Sequence, residues 1–147
     1  MSMVKVNFSI EQDDDGFPGI ASESVWASPG IELNEFVIDN IPFFAREATV
    51  GDLVEAKQSD GNFCFVRIVK SSHNSLVRAV FFDASKLELL RSAISDLGCQ
   101  TEYLESHHML AISVPREVAI HAVRGVLEGL ADEGVLDYEE AILRGDH

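Results

Sequence analysis

The sequence is poor in the residues that usually carry disulfides, metal ions or cofactors. Two cysteines occur in 147 residues, too few for a disulfide framework, and neither belongs to a CxxC pair. Cys64 follows apolar neighbours and Cys99 follows the end of a predicted helix, so both are predicted to be small core residues. The five histidines do not stand at zinc-ligand spacing from other ligands. We therefore predict no metal ion and no cofactor.

Catalytic and nucleotide-binding motifs are also missing from the sequence. It contains no GxGxxG, no P-loop and no GxSxG elbow. The acidic run 13–15 lacks the alternating ligands of an EF-hand loop, which favours a solvated turn over a calcium site. We expect no catalytic residues and no enzyme. A weaker enzyme hypothesis has His73 as an acid or base.

No apolar run approaches the roughly 20 residues of a membrane-spanning helix. Residues 1–10 alternate as MSMVKVNFSI and lack the apolar core of a signal peptide. These two features predict a cytosolic protein.

Basic residues are scarce, and acidic ones are plentiful. Eleven Lys and Arg stand against 25 Asp and Glu, a formal charge of −14. Nucleic acids and anionic membranes are recognised largely through Lys and Arg, so neither is an expected partner. A negative field favours a basic protein partner and speeds encounter with it. The alternative is that the acids serve solubility alone.

Alternating apolar residues predict a first half made of short strands. We expect strands at 3–10, 24–27, 31–38, 53–57 and 62–70. A break is predicted at 11–19, and turns at Ser28-Pro29-Gly30 and around Asp60-Gly61. Pro42 biases the residue before it towards extended geometry and ends the third strand. The pattern is typical of a small half-open barrel.

The second half mixes strands with helices. Strands are predicted at 76–82, 99–105, 109–114 and 135–143, and helices at 84–97 and from Pro115 to about 131. Leu87, Leu90, Ile94 and Leu97 share one face of the first helix, which Asp83 caps and Gly98 ends. The second helix is expected to use a face with Val118, Ala122, Val126 and Leu130. The order βαββαβ predicts a ferredoxin-like sandwich.

The predicted fold class is therefore α+β, with two subdomains at 1–73 and 74–147. The link between them is short, so we expect them to pack as one compact unit.

Aromatic and polar residues of the first half surround its predicted turns. We interpret them as an aromatic anchor patch rimmed by acids, suited to a protein partner. The alternative is a packed corner with Trp26 and one phenylalanine in the barrel core. The residues around the turns are Glu23, Trp26, Asp39, Asn40, Pro42, Phe43, Phe44 and His73. The expected partner-binding residues among them are Trp26, Asp39, Phe43, Phe44 and His73. Acids of the second half are the expected contributors of charge, above all Glu102, Glu105, Asp137, Glu139 and Glu140, with Asp132 and Glu133.

Five segments of the sequence resemble the uncharacterised bacterial family called domain of unknown function 4265. They match family patterns that read D-x-DG-x-P, E-x-[LV]-WA, LDNIPFF, GD-[VL]-V and SGHST. The segments are Asp14–Pro18, Glu23–Ala27, Ile38–Ala45, Gly51–Val54 and Ser72–Ser75. Ile38 replaces the family's Leu, and Ser72-His73-Asn74-Ser75 departs from SGHST. The resemblance implies a bacterial cytosolic protein with one intact domain, and it implies no activity.

Two functions follow as hypotheses. The first is an acidic inhibitory binding protein, most concretely an immunity protein that neutralises a basic toxin such as a nuclease. The second is a small-molecule-sensing or enzyme-regulating ferredoxin-like module, with a ligand between the two halves near Trp26 and His73. The sequence does not define the oligomeric state.

Overall fold

The structure is a computed structural model that describes residues 2–16, 19–145 and 147. The chain divides into two compact units, residues 1–72 and 73–147. The structure is α+β, with strands predominating and two α-helices. Phe17 and Pro18, which belong to the predicted break at 11–19 and to the first resemblance motif, lie outside the described residues.

The first unit is a five-stranded barrel. Each strand pairs antiparallel with the next, and the first and last strands pair in parallel at Val6↔Phe63 and Asn7↔Cys64. A five-strand meander ends in the direction in which it began, so the closing pair has to be parallel. The barrel is closed, and the predicted half-open form is corrected. Its strands are β1 (Val4–Ser9), β2 (Ser22–Pro29), β3 (Glu35–Ile38), β4 (Leu53–Ser59) and β5 (Asn62–Lys70).

Alternate residues of each strand fill the barrel, as a period of two requires. Val6 and Phe8 of β1 and Val25 and Ala27 of β2 are among its buried residues. The ring of Phe8 stacks on the ring of Phe65 with centroids 4.8 Å apart. The predicted core position of Cys64 is wrong. It lies between two residues that pack against the core, so its own side chain faces outward and is exposed.

The third strand begins at Glu35, four residues later than the predicted strand 31–38. Residues 31–34 form a turn instead, and Asn34 adopts a left-handed φ of 65° that a strand does not accommodate. The side chains of Ile31 and Leu33 are consequently exposed. Ser28 and Pro29, predicted as a turn, are the last residues of β2.

The second unit is a four-stranded antiparallel sheet in the order β7-β8-β6-β9. Alternate residues of β6 and β8 and the inner faces of both helices form one apolar core, which includes Ala79, Ile112 and Leu127. The elements are β6 (Ser75–Phe81), α1 (Leu87–Asp96), β7 (Gln100–Leu104), β8 (Met109–Val114), α2 (Ile120–Asp132) and β9 (Leu136–Ile142).

The ends of α1 agree with the sequence. Asp83 accepts a hydrogen bond from the Ser85 N–H at 3.0 Å, ahead of a 3-10 turn at Ala84–Lys86, and Gly98 has a φ of 101°. Hydrogen bonds from the Ser85 hydroxyl and N–H lower the pKa of the Asp83 carboxyl.

The predicted start and face of α2 are corrected. The helix begins at Ile120, five residues after Pro115, because residues 116–118 form a turn and Ala119 is extended. Its buried residues are Ile120, Val123 and Leu127, while Val118, Val126 and Leu130 of the predicted face are partly buried and pack against the core. Among the described residues, no helix has the length and apolar character needed to cross a membrane.

Candidate functional site

Trp26 presents its indole on the outside of the barrel. The neighbouring Val25 and Ala27 point into the core, so strand alternation sends Trp26 outward, where it is 48% exposed. Lys5 is its partner in β1, and the Lys5 ammonium lies 4.8 Å from the indole centroid. This is a cation–π contact at an exposed site. Trp26 is therefore a surface residue, and the alternative that placed it in the barrel core is wrong.

The segment after β3 is hydrogen-bonded to the backbone of Trp26. The Trp26 N–H donates to Asn40 Oδ1 at 2.6 Å, and the Asp39 N–H donates to the Trp26 carbonyl at 2.8 Å. Asp39 itself is exposed. These contacts fix the backbone on both sides of the exposed indole.

Glu23 fixes the next part of the same segment. Its carboxylate accepts hydrogen bonds from three successive backbone N–H groups, those of Phe43 at 2.6 Å, Phe44 at 3.0 Å and Ala45 at 2.8 Å. Ala45 joins the barrel core, whereas Phe43 and Phe44 are half-buried. Hydrogen bonds to a charged acceptor are stronger than neutral ones. Glu23 is thus a structural acid.

Asp52 fixes the far end of this segment. Its side chain is fully buried, and it accepts hydrogen bonds from the Thr49 N–H at 2.9 Å, the Ser72 N–H at 2.8 Å and the Ser72 hydroxyl at 2.9 Å. The preceding Gly51 has a φ of 84°, in the region that favours glycine. The loop 39–52 is consequently held at both of its ends.

The indole, Lys5 and exposed Asp39 form what we call the tryptophan surface. Its backbone is ordered before any partner arrives, so binding there would cost little conformational entropy. An exposed indole is the side chain that contributes most often to the energetic centre of a protein interface. Its side chains can make apolar, cation–π and ionic contacts.

The remaining predicted site residues lie in the second unit. His73 is exposed and has a left-handed φ of 68°. Glu105 and Asp137 are exposed, and Glu102 is half-buried on β7.

Two of the predicted acids contact arginines of their own unit. Glu140 receives hydrogen bonds from Arg124 at 2.6 and 3.0 Å, while the Glu139 carboxylate lies 4.0 Å from buried Arg78. These acids are adjacent in β9 and face opposite sides of the sheet. They do not form one acidic face.

The negative charge is divided evenly between the units. Residues 1–72 contain 12 acids and 5 bases, and residues 73–147 contain 13 acids and 6 bases, so each unit carries −7. The prediction that acids of the second half contribute most of the charge to the binding surface therefore has no support from the charges of the two units. Charge alone does not select a binding face.

A contact between Ser75 and His147 was not predicted from the sequence. The Ser75 hydroxyl lies 2.5 Å from His147 Nδ1, and Nε2 of the same ring lies 3.1 Å from the Pro115 and Val118 carbonyls. Two carbonyl acceptors favour a proton on Nε2, so Nδ1 accepts from the serine. Ser75 is fully buried, which gives a substrate no access to this pair. The contacts hold the His147 ring against Ser75 and the two carbonyls.

The two thiols differ in environment. Burial raises the pKa of the Cys99 thiol to about 11, which makes it a poor nucleophile at neutral pH. Within the described part of the chain, no group of three or more His, Cys, Asp or Glu side chains is placed to hold a metal ion.

The observations define a two-unit α+β protein with an exposed, ordered aromatic surface on its barrel. The chain belongs to the family described as Domain of unknown function (DUF4265), whose model matches residues 23–138. No curated protein matches the sequence. A crystal structure of a hypothetical protein from Neisseria gonorrhoeae is similar in fold, with a TM-score of 0.78 and 21% sequence identity over 98% of this chain and 97% of that chain.

Proposed function

We propose that this protein is an acidic inhibitory binding protein, in its most concrete form an immunity protein that neutralises a basic toxin such as a nuclease. The observation that carries the proposal is the exposed indole of Trp26 on a hydrogen-bonded backbone. An indole that is 48% exposed keeps apolar surface in contact with water, which is unfavourable, and burial of that surface in a partner is favourable. The proposed location is the cytoplasm.

Charge gives the proposal its partner class. A charge of −14 attracts a basic protein at long range and accelerates encounter at low salt. The tryptophan surface would then supply the short-range contact, in which Asp39 offers a carboxylate to a partner Lys or Arg beside the indole. The cation–π contact shows that this indole face accepts a cation, here that of Lys5.

The test is capture from a lysate of the source organism at low ionic strength with three immobilised forms of the chain. These are the wild type, Trp26→Ala and Phe82→Ala. Phe82 is a matched control because it is another exposed aromatic residue, 71% exposed, in the second unit.

We expect the wild type and Phe82→Ala to retain a basic protein that salt elutes and that Trp26→Ala fails to retain. The recovered protein is then assayed for toxin activity with and without the wild-type chain. Capture of no basic protein, or equal capture by all three forms, contradicts the proposal.

A second candidate function rests on the second unit. We propose that its βαββαβ element order and its sheet order β7-β8-β6-β9 represent a ferredoxin-like sandwich. Such modules often sense small molecules or regulate larger enzymes. Thermal unfolding with a panel of metabolites separates the two functions. A metabolite that raises the melting temperature in a saturable way favours the regulator, whereas stabilisation by a protein partner alone favours the inhibitor.

A further inference from the structure

A shallow apolar groove runs between α1 and α2 on the outer side of the helix layer. Buried Leu90 lies at its floor, and Leu89, which is 62% exposed, forms part of its wall. Most of the other lining residues are small or aliphatic, namely Ala93, Val126, Gly129 and Leu130. The groove is thus an exposed apolar concavity made by two helices of one unit.

The volume of the groove limits what can occupy it. At about 320 Å³ it stands at the lower end of the range for small-molecule pockets, and it is open to solvent rather than enclosed. Two aliphatic side chains one helical turn apart would fill such a space. That is how an amphipathic helix anchors in a groove between helices.

The charges around the groove favour a basic occupant. The cations of both helices are engaged on the strand side, where Arg91 donates to Thr101 Oγ1 at 3.2 Å and Arg124 donates to Glu140 at 2.6 Å. Glu133 lines the groove. The nearest cation in sequence is Lys86, in the 3-10 turn before α1. The charged side chain of the groove lining is therefore an acid, in a unit that carries −7.

We infer that this groove binds an amphipathic helix whose apolar side chains enter it and whose Lys or Arg side chains meet Glu133 at its edge. The inference rests on the proposed recognition of basic proteins, and it adds a second contact surface to the tryptophan surface. The occupant is a segment of the basic partner. A second copy of this chain is disfavoured, because it would bring another −14 to the rim.

Gly129 and Gly125 provide a matched pair of variants. Both are exposed glycines of α2, and nothing lies within 4 Å of a Cβ added at either position. Leucine is a far better helix former than glycine, so both substitutions should keep or raise the stability of α2. Gly129 lines the groove, whereas Gly125 is one turn earlier and outside the lining. Gly129→Leu should therefore fill the groove without a change in charge, and Gly125→Leu should leave it open.

The experiment measures fluorescence anisotropy of a labelled peptide of about 14 residues, four helical turns, made of leucine and lysine with helical amphipathic spacing. A peptide of the same composition with a scrambled order is the control. We expect the amphipathic peptide to bind the wild type and Gly125→Leu alike. Gly129→Leu should weaken that binding about tenfold or more, and the scrambled peptide should bind less tightly than the amphipathic one.

If the two peptides bind equally and Gly129→Leu has no effect, the attraction is due to net charge alone. That result would overturn the proposal that the groove binds a helix, and it would leave recognition of basic partners intact. Absence of binding by either peptide at low ionic strength would also overturn it. Trp26→Ala should not change peptide binding, so the capture experiment can fail independently of this one.

Discussion

The loop 39–52 of the barrel and the helix layer of the second unit are ordered by opposite means. In the loop, side chains of Glu23, Asn40 and Asp52 accept hydrogen bonds from the backbone. In the helix layer, apolar residues such as Ile94 and Leu127 are fully buried against the sheet. The first arrangement depends on a few strong polar contacts, and the second on the summed burial of many weak ones.

The family model matches residues 23–138, yet the five motif segments lie within the first unit or at its end, and this difference gives a physical reason. Glu23 of one motif binds the backbone of Phe43 and Phe44 in another, Asn40 binds the backbone of Trp26, and Asp52 binds Ser72. A side chain that binds specific backbone groups is hard to replace, whereas a core residue tolerates other apolar residues of similar size. Four of the five motifs therefore meet at one folded loop.

The largest effect is expected in the helix layer. Leu127→Ala should lower the free energy of unfolding by about 3 to 4 kcal/mol, since it removes a fully buried side chain and leaves a cavity. Urea unfolding monitored by circular dichroism measures it. Leu143→Ala, at a residue 49% exposed, is the control. A loss below about 1 kcal/mol for Leu127→Ala would contradict the description of this core.

The next effect is expected at the far end of the loop. Asp52→Ala should cost about 3 kcal/mol, because it removes three hydrogen bonds to a carboxylate and leaves buried N–H groups without an acceptor. Asp52→Asn keeps one acceptor oxygen and should fall between the wild type and Asp52→Ala in the same urea experiment. Equal stability of all three forms would show that Asp52 does not hold the loop.

A smaller effect is expected at Glu23, which is only partly buried. Glu23→Ala should cost about 2 kcal/mol, because three successive N–H groups lose a charged acceptor. Added acetate should restore part of that stability by occupying the vacated position. Glu32→Ala, at an exposed acid, is the matched control and should respond to acetate no more than the wild type. If Glu23→Ala without acetate is as stable as the wild type, Glu23 does not hold the backbone of residues 43–45.

The smallest effect is a pH dependence from Cys99. Its pKa is about 11 in the folded protein against 9.0 for the free thiol, so the unfolded chain releases the proton first as pH rises. The free energy of unfolding should therefore decline as the pH rises above 9, by up to about 1 kcal/mol between pH 9 and pH 10. Cys99→Ala should lack this component, and exposed Cys64 should react with a thiol reagent long before Cys99. Identical pH profiles of the wild type and Cys99→Ala would contradict the prediction.

The sequence predicted the elements better than their faces. The hairpin at Asp60-Gly61 and the ends of α1 depend on local turn and cap chemistry, and both are present as expected. The start of α2 was missed because Pro115 suits several kinds of turn as well as a first helical residue. The predicted strand at Ile31 was missed because apolar residues in a turn resemble a strand to a periodicity argument.

The site was predicted only in part. Trp26 and Asp39 were chosen because they surround turns, and both are exposed. The roles of Glu23 and Asp52 could not be read from periodicity. Glu23 binds the backbone of Phe43 and Asp52 binds the backbone of Ser72, in each case 20 residues further along the chain. The E-x-x-W-A and GD motifs were the available signal. Glu139 and Glu140 were grouped as neighbours, although strand alternation separates them.

The most direct test of the tryptophan surface uses the fact that Trp26 is the sole tryptophan of the chain. Acrylamide quenching of its fluorescence reports how accessible the indole is. We expect efficient quenching and a red-shifted emission in the free protein, with both reduced when the captured basic partner is added. An indole already protected from acrylamide in the free protein, or one still fully quenched in the complex, would contradict a binding role for this surface.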